Sequence, residues 1–259
     1  MDFETFRRKV HSTFNVDLAG YKEAQLKRRT GNLMSRRGIT DYLTYYHLLK
    51  QDPHAFEEFM DYLTINVTEF FRDPGMFELL EKNVLPELLA RRSFLRIWSA
   101  ACSNGAEPYS VVMILEDLAP GCHYRIEATD IDKKILEAAR KGLYPADLLK
   151  NVSPVRKEKY FREQNGFFVF DEKFRRRVNF RSHDLLKDPY VTGLDLILCR
   201  NVQIYFTRDT QHRVIKQLSE SLNPGGYLFI GSSETILHYR ELNLEKRPFS
   251  FYRKVEARS

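Results

Sequence analysis

The feature that most constrains this chain is a change of hydrophobic texture at Phe94. Upstream of it, apolar residues recur at helical spacing, as in Phe3, Phe6 and Val10 and again in Phe56, Phe59, Met60 and Leu63, and no long run of β-branched residues interrupts them. That half predicts a small helical bundle, punctuated by Gly31, Gly38, Asp52-Pro53 and Asp73-Pro74, where proline suits a first helical turn. Its last helix is expected from about Gly75 to Leu89.

From Phe94 onward, short apolar strands alternate with amphipathic helices. Strands are expected at Phe94 to Ala101, Tyr124 to Ile131, Asn179 to Leu185, Leu194 to Cys199, Tyr227 to Ser232 and Phe249 to Lys254. Helices are expected at Tyr109 to Leu118, Lys133 to Lys141 and about Asp209 to Leu222. Such alternation implies right-handed crossovers and a Rossmann-like, doubly wound, mostly parallel α/β sheet. The expected division is an all-α domain over residues 1–88 and an α/β domain over residues 89–259. Between Tyr160 and Val178 lies a stretch with a different pattern, read as a small antiparallel insertion in which Phe167 and Val169 pair with Val178 and Phe180. Internal repeats and low-complexity linkers are absent.

In doubly wound sheets, ligands sit outside the carboxyl ends of the strands, so the residues there matter most. After the first strand comes Ser99-Ala-Ala-Cys-Ser-Asn-Gly105-Ala-Glu-Pro-Tyr109, a run of small residues with one glycine. The GxGxxG spacing that cradles a diphosphate is missing, and the run suits a cofactor that presents an amino acid moiety here. After the second strand, Asp130 is placed to accept both hydroxyls of a ribose, while Asp132 is assigned to capping the next helix; the alternative for either is capping alone. Asp184 and Leu185 end the third strand and are candidates to bracket an adenine.

Asn201 and Val202 follow the fourth strand without the Pro-Pro-Tyr/Phe run by which exocyclic-amine methyltransferases shape a pocket for an extruded base. That absence argues against a nucleic-acid substrate, even though the net charge is +6 and residues Met1 to Thr40 carry nine Lys/Arg against four acids. The basic patch is either a solvated helix face or a surface for an acidic partner.

Cys102, Cys122 and Cys199 are far apart and lack metal-ligand spacing, and the histidines form no HxxxH pair, so reduced core thiols and no metal are expected. No stretch approaches the roughly 18 apolar residues of a membrane span, and Met1 to Gly20 is too charged for a secretory core, so a cytoplasmic location without membrane insertion is expected.

Four segments together, Thr64-Ile-Asn-Val-Thr-Glu-Phe-Phe-Arg-Asp73, Trp98 to Ser110, Ala128-Thr-Asp-Ile-Asp132 and Cys199-Arg-Asn-Val-Gln-Ile-Tyr-Phe206, resemble the CheR family of chemoreceptor glutamate O-methyltransferases in order and spacing over nearly the whole chain. The resemblance implies S-adenosylmethionine (SAM) as methyl donor, S-adenosylhomocysteine (SAH) as product, and cytoplasmic receptor methylation helices as substrate. Carried onto matching positions, it implies cofactor contacts from Asn66, Thr68, Arg72, Glu107, Asp130, Asp184, Leu185, Asn201 and Val202. Arg72 and Tyr205 are the candidates for orienting the substrate carboxylate. Lys22, Arg29 and Arg36, spaced seven apart, are the candidates for binding an acidic receptor helix.

Two departures from the family pattern stand out. The loop that usually reads Ser-Thr-Gly-Glu-Glu-Pro has Asn104 and Ala106 in place of the threonine and first glutamate, and Gln203 sits where an apolar residue is usual. Members that bind a receptor's C-terminal pentapeptide carry a longer, glycine-containing loop between the positions of Phe161 and Asp184, where this chain has only Gly166; a tether-independent monomer is therefore expected. The rival readings are a nucleic-acid methyltransferase and a catalytically silent SAM-sensing or receptor-binding module.

Overall fold

The structure is a computed structural model that describes residues 1–64 and 68–255. The chain divides into two compact units, Met1–Asn66 with Ile204–Arg213, and Val67–Gln203 with Val214–Ser259.

The first unit is built on four helices, α1 (Phe3–Phe14), α2 (Glu23–Arg36), α3 (Tyr42–Gln51) and α4 (Pro53–Thr64). The starts of α1 and α3 are set by short acidic side chains, which accept N–H groups that a helix cannot pair internally, whereas Lys22 at the start of α2 makes no such side-chain cap. Asp2 accepts from Thr5, and Asp41 from Leu43 and Thr44. α2 runs unbroken through Gly31. The apolar spacing read from the sequence closes the core, where Phe6, Tyr45 and Phe59 interlock with ring centroids 6.0 to 6.2 Å apart. Truncating such a fully buried ring to alanine costs about 3–5 kcal/mol.

The second unit begins its regular structure with α5 (Pro74–Leu79) and α6 (Leu85–Arg91), joined through a π-helical turn at Leu80–Val84. The sequence predicts one helix there, and the widened turn has a cause. Pro86 has no N–H for the carbonyl four residues back, so the ladder must open around its ring. Phe77, Leu80, Leu85 and Leu88 bury their side chains in the core of the sheet unit.

The sheet strands are β1 (Phe94–Ala100), β2 (His123–Asp130), β6 (Val178–Ser182), β7 (Leu194–Cys199), β8 (Leu222–Ile230), β9 (Leu244–Lys246) and β10 (Phe251–Lys254). Between them fall α7 (Ala106–Leu118), α8 (Lys133–Lys141), α9 (Pro154–Tyr160), α10 (Glu172–Arg175) and α11 (Arg208–Ser221). The order β6-β2-β1-β7-β8-β10-β9 is doubly wound, and strand order reverses between β1 and β7. β6, β2, β1, β7 and β8 run parallel, while β10 and β9 add antiparallel pairs. Every side chain of β7 is buried, as expected for a central parallel strand covered on both faces.

The insertion is a three-stranded antiparallel sheet in the order β3-β5-β4, formed by Leu143–Pro145, Phe167–Phe170 and Phe161–Gln164. The pairing expected from the sequence is corrected here. Phe167 and Val169 pair with Gln164 and Arg162 of β4, whereas Val178 and Phe180 join β2 of the main sheet. Asn165 and Gly166, at φ 51° and 77°, form a two-residue turn that returns the chain onto β4. Asp171 then caps α10, which carries the chain away before Val178.

Among the described residues, no helix is long and apolar enough to cross a membrane, and no group of three or more His, Cys, Asp or Glu could hold a metal.

Candidate active site at the strand ends

At or past the carboxyl ends of β1, β2 and β7 lie Glu107, Asp130 and Asn201 with Val202, respectively. β1 leaves the sheet through Ala101 and Ser103, at φ 64° and 49°, and reaches Gly105 at φ 85°. A Cβ at Gly105 would lie 3.0 Å from Ala139 Cβ and 3.1 Å from Phe180 Cζ, so glycine is required on grounds of both conformation and space. The turn is tied down from both sides: Cys102 N–H donates to the Thr129 carbonyl at 2.8 Å, and Ser103 N–H to Asp130 Oδ2 at 2.9 Å.

Asp130 itself is 6% exposed. Its Oδ1 accepts the Asp132 N–H at 3.1 Å, and among the described residues it makes no ion pair. Burial pushes its pKa up to about 6, against the pull of those backbone N–H groups. Asp132 performs the capping expected of it, accepting from Lys134 and Ile135 at 2.9 and 3.1 Å.

Glu107 lies in the first turn of α7, buried, with Ser99 Oγ donating to Oε1 at 2.7 Å and Arg200 Nη1 lying 3.3 Å from Oε2. Burial raises its pKa, while Arg200, Ser99 and the charge of Arg72 oppose the rise. The Arg200 side chain is 2% exposed and stacked against Phe77 and Phe229, 5.1 and 4.6 Å from the ring centroids. Its Nη2 donates to the Arg72 carbonyl and to Asp73 Oδ2, both at 2.8 Å. Arg72 is thus held in a segment whose neighbours Phe71 and Asp73 adopt φ 51° and 61°. Phe71 N–H is also anchored, donating to Ser110 Oγ at 3.0 Å. Thr68 is half-buried upstream of this segment. Asn66, the remaining residue expected here, lies outside the described residues.

The chain matches two family models, "CheR methyltransferase, SAM binding domain" over residues 66–249 and "CheR methyltransferase, all-alpha domain" over residues 1–64. This chain belongs to the CheR methyltransferase family. It is similar to the chemotaxis protein methyltransferase of Listeria monocytogenes, 41% identical over 255 residues that cover 98% of this chain and 97% of that protein. The chemotaxis protein methyltransferase of Escherichia coli is 34% identical over 247 residues, covering 91% and 85%. Chemotaxis protein methyltransferase 1 of Pseudomonas aeruginosa is 35% identical over 248 residues, covering 91% and 90%. The chain is accordingly a methyltransferase with a SAM-binding domain.

The departures of this CheR chain from the usual loop have local explanations. Asn104 Oδ1 accepts the Ala106 N–H at 3.1 Å, and the Asn104 carbonyl accepts Tyr144 O–H at 2.8 Å, so Asn104 secures the start of α7. Ala106 is fully buried, which leaves no room for a longer acid without repacking. Gln203 is buried, with its N–H donated to Glu234 Oε1 at 2.9 Å.

The adenine candidates sit in a turn past β6, not in the strand, which ends at Ser182. Asp184 Oδ1 accepts the Leu186 N–H at 2.8 Å, and the buried Leu185 offers its carbonyl to Tyr190 O–H at 2.8 Å. His183, which the sequence reading passed over, packs its ring edge-on to Trp98 at 5.3 Å; burial lowers its pKa. Asn201 is half-buried at φ 57°, with Val202 half-buried beside it.

A groove of about 530 Å³ also opens in this unit, lined by Arg96, Arg125, Glu127, Asn179 and Arg181 among others. It contains none of the expected site residues.

The remaining candidates belong to the helical unit. Lys22 N–H donates to the Tyr205 carbonyl at 2.9 Å, and Lys22 Nζ to the Ile204 carbonyl at 2.8 Å. The Arg29 guanidinium lies 4.9 Å from the Tyr62 ring centroid and 6.0 Å from that of Tyr205, and Arg36 stacks on Tyr62 at 5.2 Å. Arg29 and Arg36 therefore lie on one face of α2, with Arg36 exposed and Arg29 half-buried, while the exposed Lys22 precedes the helix as its N-cap.

Proposed function

We propose that this methyltransferase transfers the methyl group of SAM to glutamate side chains of bacterial chemotaxis receptors, giving methyl esters. The observation that carries the reading is Asp130, a buried carboxylate at the end of β2 that makes no ion pair among the described residues and accepts the backbone N–H groups of Ser103 and Asp132. A charge kept in that state is costly unless a ligand uses it, and two ribose hydroxyls are apt partners. Glu107, with one oxygen toward Ser99 and the other toward Arg200, suits the ammonium of the methionine moiety, and the small residues of the β1–α7 turn suit close approach of a nucleoside.

When bound, SAM supplies an electrophilic methyl on a sulfonium. A glutamate carboxylate with a pKa near 4.3 is already ionised at neutral pH, so no general base is required. Catalysis then rests on alignment, which supplies on the order of 7–11 kcal/mol. Arg72 and Tyr205 are proposed to hold the attacking oxygen. Lys22, Arg29 and Arg36 are proposed to dock the acidic receptor helix. The two-residue β4–β5 turn supports independence from a C-terminal tether, and a cytoplasmic monomer completes the reading.

Incubation with labelled SAM and receptor cytoplasmic fragments tests this. Base-labile label on receptor protein is expected. Label on RNA, or cofactor binding without turnover, would overturn the reading.

A further inference from the structure

Glu234 follows β8 in Gly231-Ser-Ser-Glu234 and is 8% exposed. Its Oε2 accepts the Gly231 N–H at 2.7 Å and the Asn201 N–H at 2.9 Å, and its Oε1 accepts the Gln203 N–H at 2.9 Å. The Glu234 N–H in turn donates to the Gly231 carbonyl at 3.0 Å. One carboxylate from the turn after β8 thus clamps two amides of the turn after β7. Hydrogen bonds to an ionised acceptor are the stronger kind, and buried ones gain further in a medium of low dielectric.

The clamp acts on a segment that needs one. Asn201 adopts φ 57°, in the left-handed region that asparagine tolerates better than most side chains but that the surrounding hydrogen bonds must still hold in place. A Cβ at Gly231 would lie 2.7 Å from Glu234 Oε2 and 2.9 Å from Asn201 Nδ2, so the two turns interlock with no space to relax.

We propose that Glu234 is a positioning residue: it fixes the Asn201–Gln203 turn in the form that receives SAM, without touching cofactor or substrate. This rests on the reading that Asn201 and Val202 contact SAM. A glutamine at position 234 has a single acceptor oxygen, and its NH2 group must face at least one of the three donors. A turn left mobile must be ordered when cofactor binds, so the loss falls on affinity.

The test compares wild type, Glu234→Gln, Glu234→Asp and Asn201→Ala. SAH binding is measured by calorimetry, and amide hydrogen exchange is followed at positions 201, 203 and 231. Glu234→Gln is expected to raise the Kd for SAH at least tenfold and to speed exchange of those amides, while β1 and β2 keep their protection. In turnover, KM for SAM rises by a larger factor than kcat falls. Glu234→Asp, which keeps the charge but withdraws it by one methylene, is expected to fall between and decides the matter should the Gln variant not fold. Unchanged exchange in the Glu234 variants overturns the clamp. Unchanged SAH affinity in them, with affinity lost in Asn201→Ala, overturns the positioning role alone. Unchanged affinity in all three variants overturns the reading of the turn and the proposal with it.

Discussion

The Glu107 carboxylate and the Arg200 guanidinium meet at 3.3 Å inside the sheet unit, and the same guanidinium holds Asp73 at 2.8 Å. One buried cation therefore links the proposed ammonium site to the segment that carries Arg72.

Removing that cation leaves a buried acid unpaired, a change that costs about 3–5 kcal/mol. Arg200→Met is expected to lose stability of that order in urea unfolding. Adding Glu107→Gln should restore part of the loss, because the neutral amide no longer needs the partner. A double variant no more stable than Arg200→Met would show that Glu107 is not what Arg200 compensates.

If Asp130 holds the cofactor as proposed, binding should depend on pH. Its folded pKa of about 6 lies above the ordinary 3.8, so the folded state holds the proton more tightly. The associated stability is complete below about 3.8 and is lost as pH rises through about 6, roughly 3 kcal/mol in all. At neutral pH the carboxylate is ionised and ready to accept hydroxyls. The Kd for SAH should therefore be flat above pH 7 and rise below pH 6, by up to about tenfold per unit. Asp130→Asn should bind weakly and lose the step near pH 6, which calorimetry across pH 5 to 8 would read.

The parallel sheet was legible because its strands announce themselves: β7 is apolar but for Asp195 and is followed by Arg200 and Asn201, and its bounds match expectation. β3 and β9 were not legible, since three residues each are too few to display a period of two. Asp130 was singled out by its place at a strand end, and Glu107 through the family resemblance. Glu234 was invisible by that logic, because its work is done on the backbone of residues some thirty positions earlier, and nothing in Gly231-Ser-Ser-Glu234 shows which amides it will meet. Arg200 stood in a quoted motif without a role, and only the structure shows how its charge is accommodated in the interior, by Glu107 and Asp73 with the rings of Phe77 and Phe229 stacked against it.

The proposed orienting role of Arg72 can be told apart from cofactor binding. Its backbone is fixed by Arg200, so Arg72→Ala should leave the segment in place. Methyl transfer is expected to fall by a larger factor than SAH affinity. Equal losses in single-turnover rate and in Kd would make Arg72 a binding residue only.

The hairpin of the insertion turns in two residues and offers no longer loop to grip a peptide. A receptor C-terminal pentapeptide titrated into the protein should show no saturable binding below the millimolar range. A micromolar Kd would mean that an edge of the three-stranded sheet takes the peptide as an added strand.

The basic face of α2 should act through charge at Arg36 and through packing at Arg29. Arg36 is exposed, and an exposed pair with a receptor acid is worth about 0.2–1 kcal/mol. Arg36→Gln is therefore expected to raise KM for receptor by up to about fivefold at low salt. Near 0.5 M salt, where screening acts within a few ångströms, the variant and wild type should converge. Arg29 is half-buried against Tyr62 and Tyr205, so replacing it with glutamate would set a carboxylate against two ring faces and disturb the helical unit itself. Arg29→Glu should lower the unfolding temperature as well as receptor kinetics, whereas Arg36→Gln should change kinetics alone. If Arg36→Gln leaves both KM and its salt dependence as in wild type, the face is a solvated surface and receptor recognition lies elsewhere.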